Sequence, residues 1–142
     1  MAKFSQGFYT VKNPEKYVGT HAPRWRSSWE MHFMVFLDNH PSVLNWASES
    51  IRIPYRNPLT GKNTTYVPDF FIVYQDKNGT NHGEVIEIKP SGQVTLETAK
   101  GARNQAAAAV NMMKFQAARG WCASQGLVFR ILTQQDLFTG SR

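Results

Sequence analysis

Apolar and polar positions change period several times along the chain. Residues 1–25 show no clear period. They mix Phe4, Phe8, Tyr9 and Tyr17 with Lys3, Lys12, Lys16 and Arg24, which predicts an extended basic and aromatic arm lying on the domain. Ser27 followed by Glu30 is a capping box, and Trp29, Phe33, Phe36 and Leu37 recur at helical spacing as the buried side. That helix is expected to reach Asn39 and to stop before Pro41. Val43 to Trp46 reads as a short strand. Ile51, Ile53 and Tyr55 alternate with Arg52 and Pro54, as in a half-exposed strand with an edge or bulge at the proline. Residues 57–63, with Pro58 and Gly61, read as a loop.

Next come two apolar, β-branched or aromatic arms, residues 66–74 and 84–89, with Asn78-Gly79 between them. This is a strong hairpin pattern. Pro90 and Gly92 close it, and residues 91–100 read as a polar connection. Residues 103–125 are rich in alanine, with Met112, Met113, Phe115, Trp121 and Cys122 on an apolar face; they predict one long helix ended by Gly126. Met112, Met113 and Trp121 read as core. Leu127, Phe129 and Ile131 form a last strand, and its arrival after a helix suits a crossover connection. Thr133 would cap a final turn, with Leu137 and Phe138 packing back. The order of elements predicts an α/β (α+β) fold with a mixed sheet.

A length of 142 residues suits a single domain, 1–142, able to bury a real core. The formal net charge of +6 favours a polyanionic partner, nucleic acid first. One cysteine, Cys122, allows neither an internal disulfide nor a cysteine metal cluster, and it suits a reducing compartment. No apolar run is long enough to span a bilayer, and the first residues lack a signal-peptide pattern, so no membrane partner is expected.

The anomaly lies in the charges of the hairpin. Asp69 interrupts one hydrophobic arm, and Glu87 and Lys89 interrupt the other. Alternation points Glu87 and Lys89 to one face and Ile86 and Ile88 to the opposite one. If the arms are neighbours, Asp69 reaches the same spot. Charges among apolar residues must be paired or bind a metal. Two accounts suit them: a structural salt bridge from Lys89, which leaves one negative charge over, or a divalent cation beside a proton-handling lysine.

Asp69 within Pro68-Asp69-Phe70, followed by Glu87-Ile88-Lys89 on the next strand, resembles the signature of the PD-(D/E)XK nuclease superfamily. Glu30 sits where that superfamily often supplies a further acidic residue. Within it, several stretches resemble the head completion nucleases of tailed bacteriophages: 26–30, 37–41, Val43 with Trp46, Ser48-Glu49, 53–55 and 66–70. The chain's end, with Ala117, Trp121, Cys122, Gly126, Phe129 and Leu132-Thr133, fits as well. The TnsA-type transposition endonuclease N-terminal domain is a more distant likeness.

The resemblance implies a restriction-endonuclease-like mixed sheet flanked by helices and a DNA endonuclease dependent on Mg²⁺ or Mn²⁺. Asp69, Glu87 and the backbone carbonyl of Ile88 would hold the metal, with Glu30 as a further ligand. Lys89 would orient or help deprotonate the attacking water. Glu30, Asp69, Glu87 and Lys89 form the expected catalytic set, and Glu49 is a secondary candidate whose commoner role is a solvated rim residue. Arg24, Arg26, Arg52 and Lys114, with Arg56, Lys62, Lys100 and Arg103, are candidates for DNA-backbone contacts.

The phage setting implies trimming of packaged DNA at the portal before neck and tail proteins join. DNA and capsid portal or neck proteins are then the expected partners, and the host cytoplasm or the virion the expected location. Many nucleases of this fold dimerise, so a homodimer is a further expectation. A non-catalytic docking protein on a nuclease fold, or a TnsA-like or junction-resolving endonuclease, are the alternatives.

Overall fold

The computed structural model describes residues 6–89 and 100–133. The expected connection over 91–99 and the packing of Leu137 and Phe138 lie outside the described residues. Ten elements follow in order: β1 (Gly7–Phe8), β2 (Arg24–Trp25), α1 (Ser28–Asn39), β3 (Val43–Ser48), β4 (Ile53–Arg56), β5 (Asn63–Tyr66), β6 (Phe70–Gln75), β7 (Asn81–Ile88), α2 (Ala102–Ser124) and β8 (Val128–Leu132).

The central sheet has the order β3-β6-β7-β8. β3 pairs with β6, and β6 with β7, antiparallel; β7 and β8 are parallel, as a crossover through α2 requires. Alternation along the strands builds two cores. On one face Phe70, Ile72, Ile86, Ile88 and Leu132 pack with Phe33, Met34 and Leu37 of α1 and with Trp46. On the other, Val85 and Phe129 pack with Ala118 and Cys122 of α2 and with Ile53 and Tyr66. Ala118, fully buried, lets α2 approach closely. The mixed sheet flanked by helices is therefore observed.

Several expectations change. Residues 66–74 do not make one strand. Tyr66 ends β5 in a separate two-stranded ribbon with β4, and β6 starts only at Phe70. Pro68 lies in the break: without an N–H it cannot continue a ladder, and it is fully buried as the chain changes sheets. Asp69 thus stands at a bend ahead of β6 rather than within a strand. β7 begins at Asn81, not Glu84, and the turn before it is fixed by Asp76 Oδ1, which accepts from the N–H groups of Asn78 (2.9 Å) and Thr80 (3.0 Å). Gly79 there has φ +83°, a conformation that favours glycine. Phe36 and Met112, expected in the core, are 38% and 41% exposed. Phe36 sits beside the apolar stripe and stacks on Phe33.

From residue 6 onward the N-terminal arm is structured. β1 and β2 pair antiparallel, and residues 16–18 run along the free edge of β3 through Val18 N–H to Trp46 O (2.9 Å) and Trp46 N–H to Lys16 O (3.0 Å). Asp38, fully buried near the end of α1, fastens the arm. It accepts from Tyr9 Oη (2.6 Å), Lys12 N–H (2.8 Å) and Asn13 N–H (3.0 Å). These bonds outweigh burial and hold its carboxyl below the usual range.

Candidate active site

The bend after Pro68 delivers Asp69 to the end of the sheet where Glu87 stands near the end of β7 and Lys89 directly follows that strand. Asp69 Oδ2 accepts from Ile88 N–H at 2.8 Å. Lys89 Nζ lies 3.5 Å from Glu87 Oε2. Glu87 is buried at 9% exposure, and its Oε1 accepts from the Tyr66 hydroxyl at 2.5 Å. Lys89, one residue past the end of β7, turns to the same side as Glu87, and the α2 side chain Phe115 lies beneath the lysine, 5.9 Å from Nζ to the ring centroid. Lys114 Nζ stands 5.6 Å from the Tyr66 ring centroid.

Glu30 reaches this end of the sheet from the first turn of α1. Ser27 caps the helix as expected, its Oγ accepting from Glu30 N–H at 3.2 Å. The reciprocal half of the capping box is shifted by one residue: Glu30 Oε1 accepts from Arg26 N–H at 3.0 Å. The Arg26 guanidinium is turned to Glu49, with Nε 2.8 Å from Oε2 and Nη2 3.3 Å from Oε1. Glu49 itself has φ +50°, a left-handed conformation unusual for a residue with a side chain. Its N–H donates to Asp69 O at 2.9 Å, so the strained residue is tied to the backbone of the acidic cluster.

The electrostatics show a surplus of negative charge. Burial, then repulsion from Glu87 and Glu30, pushes the Asp69 carboxyl up to about 8, against the opposing pull of Ile88 N–H and Lys89. Glu30 is also raised, by burial first and by Glu49 and Glu87 beyond it, while the Arg26 N–H opposes. The Tyr66 hydroxyl is raised by burial and by Glu87, so it stays protonated and donates.

Among the described residues, no three His, Cys, Asp or Glu side chains stand close enough together to complete a metal site by themselves. The donor set nonetheless fits a hard divalent cation. Asp69, Glu87 and the carbonyl of Ile88 are oxygen donors at one end of one sheet. Mg²⁺ keeps several waters and takes one or two carboxylates, and a cation would relieve the repulsion that raises Asp69.

The expected DNA contacts are distributed unevenly. Lys114 is brought beside Tyr66. Arg24 stays on the arm, its Nη2 3.0 Å from Gln6 Oε1 and its guanidinium 6.0 Å from the Phe8 ring centroid. Arg26 is bound to Glu49. Arg52, Arg56 and Lys62 are exposed on or beside the β4–β5 ribbon, and Lys100 and Arg103 are exposed at the start of α2. Tyr66 was not singled out by sequence reasoning, because its bond to Glu87 spans 21 residues and has no local pattern. Glu49, the secondary candidate, lies in the site's wall, bonded to Arg26.

The TnsA-like endonuclease N-terminal family matches residues 40–134, which include β3 to β8 and hence Asp69, Glu87 and Lys89. The chain is also 33% identical over 145 residues to the head completion nuclease of Enterobacteria phage T4, an alignment that covers 92% of each chain.

Proposed function

The chain belongs to the TnsA-like endonuclease N-terminal family and is related along nearly its whole length to a phage head completion nuclease, and from that premise we propose that it is a metal-dependent endonuclease that hydrolyses DNA at the Asp69–Glu87–Lys89 site. The observation that carries this is that Asp69, Glu87 and Lys89 meet at one end of the sheet, where burial first and like charges second raise the carboxyls of Asp69 and Glu30. A structure built for stability alone would pair such groups or leave them out. Perturbed carboxylates beside a lysine instead suit a catalytic centre.

The residues divide the work as follows. Asp69, Glu87 and the Ile88 carbonyl would hold Mg²⁺ or Mn²⁺, with Glu30 beyond them. That ion supplies charge neutralisation at the scissile phosphate and acidifies a water. The Ile88 N–H and the Tyr66 hydroxyl fix one oxygen of each carboxylate, leaving the other oxygen of Asp69 for a ligand. Lys89 is close enough to Glu87 to be held over the site, where its ammonium orients the attacking water or answers the charge that builds on the phosphate. Lys114, held over the Tyr66 ring, would contact the DNA backbone beside the site.

By relation to the phage protein, the biological substrate proposed is DNA at the portal of a filled head, trimmed before neck and tail proteins bind. The test is nicking and linearisation of supercoiled plasmid by the purified chain. Cleavage with Mg²⁺ or Mn²⁺ that stops in EDTA is expected. A folded chain that cleaves equally in EDTA contradicts the metal, and one that never cleaves contradicts the nuclease.

A further inference from the structure

Between Glu49 and Asp69 the chain carries no acidic residue and three cations, Arg52, Arg56 and Lys62. The structure turns this segment into a projecting hairpin. β4 and β5 pair from Ile53↔Tyr66 to Arg56↔Asn63. The base is anchored: Ile53 and Tyr66 are buried against Ala118 and Cys122 of α2. The outer end is exposed, and β5 buries only Tyr66.

The turn at the tip is closed by hydrogen bonds. Asn57 Oδ1 accepts from Leu59 N–H at 2.8 Å, Asn57 N–H donates to Lys62 O at 2.9 Å, and Gly61 N–H donates to Asn57 O at 2.8 Å. Gly61 takes φ +72° to close it. This turn presents Leu59, 58% exposed, to solvent between Arg56 and Lys62. Among the described residues, none of Arg52, Arg56 and Lys62 is in an ion pair.

We infer that the β4–β5 hairpin is a DNA-gripping finger, with Arg56 and Lys62 on the phosphates and Leu59 entering a groove of the duplex flanking the cut. The inference rests on the DNA substrate proposed above. Exposed cations with no ion-pair partner among the described residues match a polyanion. An apolar side chain on a preorganised turn, flanked by cations, is the arrangement by which groove binders press against sugars and bases. The finger is also tied to the chemistry: its last residue, Tyr66, bonds Glu87, and Asp69 follows three residues later. At about 3.4 Å per residue the tip reaches roughly 15 Å beyond Tyr66.

The test is fluorescence anisotropy of a labelled duplex with the full chain in EDTA, titrated with salt, for the wild type, the double variant Arg56→Ala/Lys62→Ala, and Leu59→Ser. All three positions are exposed, and melting curves check that the variants fold. The double variant is expected to lower the log–log salt slope by about 2 and to weaken binding at 0.1 M salt by roughly tenfold per residue removed. Leu59→Ser is expected to weaken binding several-fold with an unchanged slope. Variants that bind like the wild type with the same slope overturn the finger while leaving the nuclease reading intact. A wild type that binds no duplex overturns both.

Discussion

Replacing Asp69 with asparagine should make the metal-free protein more stable while disabling it. The carboxyl is raised from 3.8 to about 8, by burial first and then by Glu87 and Glu30. A folded-state value above the unfolded one fixes the sign. Below about pH 4 the group is protonated in both states and contributes no difference. Between about 4 and 8 the unfolded chain ionises while the folded one holds its proton, so stability falls as pH rises. Above about 8 the loss is complete.

A shift of about four pH units at 1.36 kcal/mol each sets a ceiling of ~6 kcal/mol, and ~4 kcal/mol at pH 7. Partial solvent access reduces the expected gain to about 2–4 kcal/mol at pH 7. Asparagine is nearly isosteric, and its carbonyl still accepts from Ile88 N–H, so no new strain opposes the gain. Urea unfolding in EDTA from about pH 4 to pH 8.5 measures it. Asp69→Asn should gain over the wild type as pH rises and converge with it at the acid end. Equal stability at pH 8, or a difference independent of pH, would refute the electrostatic account of the site.

Other consequences follow from the same geometry. Mg²⁺ or Mn²⁺ should raise the wild-type melting temperature and leave Asp69→Asn unmoved, because only a ligand of the folded state stabilises it; scanning calorimetry with and without EDTA reads this. Tyr66→Phe removes a 2.5 Å bond to a buried carboxylate and should cost about 1.5–3 kcal/mol in urea unfolding; no loss would mean that Glu87 finds another donor. Asp38→Ala takes the acceptor from Tyr9, Lys12 and Asn13 together. It should cost ~3 kcal/mol and speed tryptic cleavage at Lys12 and Lys16, and unchanged digestion would show that the arm is held otherwise. Glu49→Gln breaks the pair with Arg26, whose side chain is 48% exposed, and should cost less than about 1 kcal/mol; a larger loss in thermal melts would give Glu49 a structural weight beyond that pair.

What was legible in the sequence is what local chemistry decides. The Ser27 cap, the stop before Pro41 and the alanine-rich periodicity place both helices. The Asn78-Gly79 turn places the β6–β7 hairpin. Alternation puts Glu87 and Lys89 on one face, and the pairing of β6 with β7 brings Asp69, at the bend just ahead of β6, to them. Pro68 carried the information that the first arm is split, but the run of apolar residues from 66 to 74 outweighed it. The β4–β5 ribbon is half visible: Ile53 and Tyr55 alternate with Pro54 as a strand does, while the return strand, Asn63-Thr64-Thr65-Tyr66, is too polar to show a period. Bonds between distant positions had no local signature. Tyr66 to Glu87, Arg26 to Glu49 and the clasp of the arm on Asp38 all depend on the tertiary fold, which alone decides that Arg26 faces a carboxylate rather than solvent.

The measurement that tests the central claim most directly is the single-turnover cleavage rate of duplex DNA at saturating Mg²⁺ for the wild type, Asp69→Asn and Lys89→Ala, with melting curves to establish that each is folded. Both variants should lose cleavage by about 10²-fold or more while remaining folded. Folded variants that cut at the wild-type rate would place the chemistry elsewhere in the chain and leave Asp69, Glu87 and Lys89 as a structural charge cluster.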